Sequence, residues 1–482
     1  MTTPATPPPG LGRLRRWLPW LLLGVALLRL FLGAALFYTA PGERDRDRLV
    51  ALAGRLAAND AIAYYSDAHH ILKFFADGLT SDLPPEMNLQ RFALLLAPLY
   101  NLEEKDDYLH VVGFYALLAL GLGWLAYGLA RRLGQGPERA AGLALLLTLW
   151  PPGLVWASLP LKEVPALLAA LAHLYCLCRL LDREKRDRTP AAAALGYLAS
   201  GLLLAFLRFY LGYFVVLLGL AALAASFLSG REAAPSGWGR RGLLLGLILL
   251  TFLLGRPLHR DTAIYFEAGN PWPLLRSEGP LMVEPPAKPL PQPSETSPPA
   301  PPLALNPSAD QMVETKPGQY ALVNPGWWDR VRNYRMRFVD EAGRSLSPGA
   351  LEAGPLEALV LGLRDLLFFP TPWQRWPETP HWTLVNLAVA GTALVWWLLL
   401  PGIAAGAWSL ARRRPGPVLT LLAWGLGLGL ALAVVVVNRG TLFRLREIFL
   451  LPGLLLWDPA PYLWLWRRLR PGRPESWPVE GS

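Results

Sequence analysis

Apolar runs of about 20 residues recur along this chain, the length at which an α-helix crosses the roughly 30 Å hydrocarbon core of a bilayer. They fall at 17–38, 110–130, 140–158, 162–181, 191–207, 209–228, 242–255, 384–410, 418–437 and 444–464. The runs 191–207 and 242–255 are short and call for extension into flanking sequence. In lipid, backbone N–H and C=O groups must be satisfied within the segment, so such a chain folds as a helix bundle. Composition agrees: 53% of residues are hydrophobic, only 17% are charged, and mean hydropathy is +0.30. Soluble domains carry about 25% charged residues. An ordinary cytosolic enzyme, a disordered chain and a disulfide-stapled secreted domain are thereby excluded. The two cysteines, Cys176 and Cys178, lie two apart in an apolar run and point to different faces of a helix. The expected fold class is an all-α polytopic membrane protein of about ten transmembrane helices.

The net charge of +10 is not spread evenly. Six short segments between or beyond the apolar runs hold 21 Lys/Arg against 7 Asp/Glu, which leaves the rest of the chain at −4. They include Arg13–Arg16, Arg131–Arg139, Arg179–Arg188, Arg231–Arg241, Arg412–Arg414 and the tail from Arg467. Every second gap is basic, as the positive-inside rule requires of cytoplasmic loops. The apolar run after Arg16 is too long for a signal-peptide core, and no A-x-A-like site follows it, so it reads as an uncleaved first span. The expected location is the bacterial cytoplasmic (inner) membrane, multi-pass, with both termini cytoplasmic. No basic stripe with interleaved aromatics points to nucleic acid.

The chain then divides into a cytoplasmic tail 1–16, a membrane domain 17–255 with a large outer loop 39–109, an extracytoplasmic loop 256–383, a membrane domain 384–466 and a cytoplasmic tail 467–482. The loop between spans seven and eight runs to about 130 residues, and its part 280–302 holds ten prolines, an extended linker. Phe92–Tyr100 is apolar but too short to span and reads as interfacial or re-entrant. Trp327–Phe338 and Leu356–Phe369 read as amphipathic helices on the membrane surface.

Ionisable groups at membrane depth are costly and tend to face a cavity or partner. Here they collect on the outer side. Asp60 and Asp67 lie in the first outer loop, where a carboxylate can act as general base on an acceptor hydroxyl or hold a divalent metal against phosphate. A helix N-cap is the structural alternative for Asp60. His69 and His70 are adjacent and cannot both face one site on a helix; Asp67 and His70 at i+3 can share a face, but as metal ligands that pair is too few and too loosely spaced to be a strong signal. Lys162 precedes Glu163 at the outer end of a span, suited to a phosphate or to a local ion pair. Arg208 sits between two apolar runs and can meet a lipid phosphate or snorkel to the headgroups. Arg439, Arg444 and Arg446 lead into the last span against the positive-inside bias, which makes them the strongest anion-binding candidate; pairing with Glu447 is the alternative. Arg29 and Asp458 are singletons suited to helix–helix contacts. No Walker A motif, G-x-S-x-G elbow, H-E-x-x-H or paired C-x-x-C occurs.

Asp60, Tyr64, Ala68, Leu72 and Gly78 resemble the acidic, Tyr, Ala, Leu and Gly pattern in the first outer loop of the GT-C superfamily of polytopic glycosyltransferases. Where many members carry an adjacent acidic pair, this chain has Asn59–Asp60. Pro152, Trp156, Ser158, Lys162 and Glu163, then Phe368–Trp373, then Gly440–Glu447 also resemble bacterial surface-polysaccharide membrane proteins of unassigned role. The resemblance implies an enzyme that moves a sugar from a polyprenyl-phosphate-linked donor to a glycan or lipid acceptor at the outer membrane face. Asp60 would be the base or the acceptor-orienting group, and Arg444, Arg446 and Lys162 or Arg208 would hold the donor phosphate. No cofactor is indicated, and a divalent metal is left open. A surface-polysaccharide polymerase or ligase, a transporter of lipid-linked substrate and a non-catalytic envelope scaffold are the competing readings.

Overall fold

The computed structural model describes residues 12–55, 60–77, 89–101, 107–156, 159–181, 190–228, 235–258, 353–368, 384–435 and 439–469, with four short strands and Trp328 and Val331 between 258 and 353. The linker 280–302, most of Trp327–Phe338 and Phe369–Trp373 lie outside the described residues.

The helices of the first half are α1 (Gly12–Tyr38), α2 (Asp45–Arg55), α3 (Asp60–Ala76), α4 (Ala93–Leu96, continued by a 3-10 turn Ala97–Leu99), α5 (Asp107–Arg132), α6 (Pro137–Thr148), α7 (Pro151–Trp156), α8 (Glu163–Leu181), α9 (Pro190–Leu207), α10 (Phe209–Leu228) and α11 (Pro235–Gly255). After them come two antiparallel hairpins, β1 (Thr262–Tyr265) with β2 (Leu274–Ser277), and β3 (Met312–Lys316) with β4 (Gln319–Leu322). The second half holds α12 (Pro355–Phe368), α13 (Leu384–Arg413), α14 (Pro415–Leu422), a π turn Ala423–Gly427, α15 (Leu428–Val435), α16 (Arg439–Leu450) with a 3-10 turn Leu451–Leu456, and α17 (Ala460–Leu469).

Seven described helices are long and apolar enough to cross a membrane, and an eighth crossing is counted if one bent pair is a single span. The protein is a multi-pass membrane protein. Three of the ten apolar runs fall outside that count. The run 140–158 breaks after α6, because Pro151 disfavours the helical region for Trp150 and, without an N–H, opens a new helix, α7, instead of continuing α6. The 12 residues of α6 reach only about 18 Å, short of the hydrocarbon thickness. The run 209–228 is α10, a continuous apolar helix of 20 residues, whose length of about 30 Å matches the hydrocarbon thickness. The run 444–464 bends by 61° between Leu445–Leu456 and Ala460–Trp466. Pro459 prevents continuation there, and the Asp458 carboxylate accepts the Ala460 N–H at 2.9 Å, capping a new helix.

Lipid tails are as apolar as leucine, so helices in a membrane associate through close packing rather than water exclusion. The bent last span shows how this works. Gly406 of α13 lies against the Leu456 carbonyl, and Gly402 against the Trp457 ring and the Asp458 backbone. Any β-carbon at Gly406 would overlap that carbonyl. The π turn places Trp424 wholly inside the bundle, where its indole N–H donates to the Ile448 carbonyl at 3.0 Å.

Two sequence expectations change in detail. The run Phe92–Tyr100 folds as α4 and its 3-10 turn and packs on α3, with Phe92 edge-on to Tyr64 at 5.1 Å. Leu356–Phe369 is α12, which buries Ala358, Gly362, Asp365 and Leu366 while Leu356 and Val360 stay exposed. It packs on α15 rather than lying free on a surface.

Charge is divided between the two ends of the bundle. At one end the Arg15 N–H donates to Glu138, Arg414 donates to the Arg132 carbonyl, and Arg139 pairs with Asp458 at 3.4 Å. Gln135 donates there to the Leu455 carbonyl at 3.1 Å, satisfying a carbonyl at the bend. Basic gaps separated in sequence therefore form one layer. The other end carries α3, the start of α8 and the α9–α10 junction.

Candidate functional site

Asp60 opens α3 and is exposed. It is the first helical residue, where a carboxylate meets the positive end of the helix dipole. One turn on, Tyr64 is buried, and its ring faces the Lys162 ammonium at 5.2 Å from the centroid. Lys162 is held just ahead of α8 because the buried Tyr115 hydroxyl of α5 donates to the Leu161 carbonyl. A cation over an aromatic face keeps its charge available to a ligand on its other side.

Glu163 does not pair with its neighbour Lys162. Its carboxylate accepts from the Arg208 guanidinium at 2.8 Å, bridging α8 to the α9–α10 junction. The two side chains are 3% and 11% exposed, so Arg208 turns into the bundle instead of snorkelling to headgroups. Arg208 also interacts electrostatically with Tyr210, Tyr64 and Asp60. The residues 60, 64, 162, 163 and 208, far apart in sequence, thus converge at one end of the bundle.

The last span reaches the same place. Glu447 of α16 interacts electrostatically with Arg446, Glu163 and Arg29. Arg446 and Glu447 are both buried. Arg446 is therefore turned inward beside Glu447, which favours an internal ion network over a headgroup anchor for this residue. Arg439 and Arg444 lie in α16, but their side chains are outside the described residues. Arg29 donates to the carbonyls of Thr148 at 2.5 Å and Gly153 at 3.1 Å, closing the backbone groups freed where α6 breaks.

Asp67 follows Asp60 by seven residues, which places it on the same face of α3 about 10 Å along the axis. Its carboxylate accepts the Gln90 N–H at 2.8 Å and so ties the chain ahead of α4 to α3. His69 is engaged with the Tyr65 carbonyl at 3.0 Å, and its ring packs against both Tyr65 and Tyr100. Among the described residues, no group of three or more His, Cys, Asp or Glu is placed to hold a metal ion.

Burial raises the Asp67 carboxyl above its usual 3.8, and the Gln90 N–H opposes this only in part. A raised folded value means that ionising Asp67 costs the fold stability. The cost is absent below pH 3.8 and grows as pH rises through the folded value. Asn can still accept the Gln90 N–H through its amide oxygen. Asp67→Asn is therefore expected to melt at or above the wild-type temperature at pH 7, with the difference closing as pH falls toward 3.8. Thermal melts in detergent across that range check it. A lower melting temperature at pH 7 would mean that the ionised carboxylate has a stabilising partner.

Tyr115 is the member of the cluster that the sequence did not single out, and Glu163 was read only as a local partner of Lys162. Glu163 and Glu447 carried the available signal, since each is an acid inside an apolar run. Tyr115 carried none, because a buried tyrosine on an apolar face reads as core.

No family model matches the chain, and no curated protein matches it. Among solved structures it is similar to the archaeal oligosaccharyltransferase AglB from Archaeoglobus fulgidus, in complex with an inhibitory peptide and a dolichol-phosphate. The likeness has a TM-score of 0.45 at 12% identity and covers 95% of this chain and 52% of that one. The chain thus spans about half the length of AglB.

Proposed function

We propose that this protein is a membrane glycosyltransferase that moves a sugar from a polyprenyl-phosphate-linked donor to a glycan or lipid acceptor at the outer face of the cytoplasmic membrane. The observation that carries the reading is the meeting of an exposed carboxylate, Asp60, with the cations Lys162 and Arg208 at the end of the bundle opposite the basic layer. Such a site can remove a proton at one point and stabilise a departing anion at another.

In this reading Asp60 accepts the proton of the acceptor hydroxyl as its oxygen attacks the anomeric carbon. The bond from that carbon to the phosphate oxygen breaks, and its electron pair leaves with the polyprenyl phosphate. Lys162 offers a point charge to that phosphate, and Tyr64 and the Tyr115–Leu161 bond hold it in place. Arg208, fixed by Glu163, sets a positive potential around Asp60. The basic layer then faces the cytoplasm, with both termini.

Native mass spectrometry of the detergent-purified protein tests this. Wild type should retain a polyprenyl phosphate or its sugar conjugate, and Lys162→Ala and Arg444→Ala should lose it. If only bulk phospholipid is retained, unchanged by either substitution, the transferase reading fails and a transporter or scaffold takes its place.

A further inference from the structure

A groove of about 500 Å3 lies between the 3-10 turn after α4 and the first turns of α5. That volume falls within the range of about 300–1,000 Å3 usual for small-molecule sites. One wall is Pro98 and Leu99, and the other is Leu109, Gly113 and Leu117. These three α5 residues fall at i, i+4 and i+8, a single face of a membrane span. Leu109 is 42% and Leu117 67% exposed, so in the bilayer this face meets lipid tails. His110, polar and exposed, stands at the rim.

Gly113 sets the depth of the groove. A β-carbon there would touch nothing within 4 Å, whereas one at Gly123 of the same helix would run into Leu22. Helix packing thus accounts for Gly123 and leaves Gly113 unexplained. What Gly113 does is leave room. The groove ends at Tyr100, whose ring packs edge-on against Tyr65 of α3 at 5.1 Å. It therefore leads from the lipid-facing side of α5 to the helix that begins with Asp60.

We infer that this groove seats the hydrocarbon tail of the lipid-linked substrate, a polyprenyl chain, with its polar end directed past Tyr100 toward α3. The inference rests on the transferase reading, and it adds where the lipid lies. Continuity selects the occupant: the groove opens onto the lipid-facing stripe at Leu117 and closes against the element bearing the proposed base. Because lipid tails and leucine are equally apolar, selection here is by shape, and filling the groove should abolish it.

The test uses a long-chain polyprenyl phosphate with a photoactivatable diazirine on its tail, added to the full-length protein in detergent. Wild type should crosslink within 98–117. Gly113→Phe and Leu117→Trp, which fill the groove from its floor and its lip, should each lower retention of the long chain by about tenfold. Both should keep the wild-type melting temperature and still bind a short prenyl phosphate. Lys162→Ala should lose both ligands. Wild-type retention with crosslinks confined to other helices overturns the groove and leaves the transferase reading intact. Unchanged retention in both filled variants does the same. Failure of wild type to bind either prenyl phosphate overturns the groove and the reading together. Displacement of the probe by an equal amount of bulk phospholipid assigns the groove to ordinary lipid and overturns the inference alone.

Discussion

Asp60→Asn should lower sugar transfer by about 10²–10⁴-fold, the usual contribution of general acid–base catalysis, and leave the fold as it is. The second half of that expectation follows from position. Asp60 is exposed at the start of α3, so no packing is lost. Asparagine is as good as aspartate at a helix start, and the lost dipole interaction is worth about 0.3–1 kcal/mol at most. Arg208 keeps Glu163 at 2.8 Å, so its charge remains compensated. The amide has the shape of the carboxylate but cannot take a proton. Transfer to a glycan acceptor from a polyprenyl-phosphate-linked sugar is the measurement, with a melting temperature beside it. Full activity in this variant would remove Asp60 from the chemistry. Loss of activity together with a large drop in melting temperature would mean instead that the carboxylate holds α3 in place.

The bundle was legible in the sequence because apolar length and basic spacing are local properties. Arg131–Arg139 and Arg412–Arg414 needed no partner to mark one end of the bundle, and the structure brings them into a single layer. The breaks were less legible. Pro151–Pro152 and Pro459 were visible, but hydropathy averages across them, and 140–158 and 444–464 read as whole spans. The site was legible in its charged members alone. Asp60, Lys162 and Arg208 stood out as ions beside hydrocarbon, yet no spacing could say that they meet, since the contacts join segments some 45 residues apart or more. Glu163 illustrates the limit best. Its neighbour in sequence is Lys162, and a local pair was the natural reading. Its partner is Arg208, and only tertiary packing decides between them.

Glu163→Leu should destabilise the protein by about 3–5 kcal/mol, and Glu163→Leu with Arg208→Leu should restore most of that. The hydrogen bond itself is not what is being lost. Such contacts between helices in a membrane are worth only about 0.6 kcal/mol on average. The larger cost is that of the Arg208 guanidinium, 11% exposed, left without the carboxylate it touches. Asp60 exerts some compensating field on Arg208 from the exposed end of α3, which moderates the loss without cancelling it. With both side chains replaced by leucine no buried charge remains, and the pair's own desolvation penalty disappears as well. Replacing a buried ion pair by apolar residues is often neutral or stabilising by about 1–4 kcal/mol. A double-mutant cycle followed by denaturant unfolding in detergent measures the coupling. Equal, additive losses in the two single variants would mean that Arg208 finds another partner when Glu163 is gone. If the double variant instead folds well but no longer retains a polyprenyl phosphate, stability cannot be the reason the pair exists. The Glu163–Arg208 bridge is then kept for the charge it fixes beside Asp60 and Lys162.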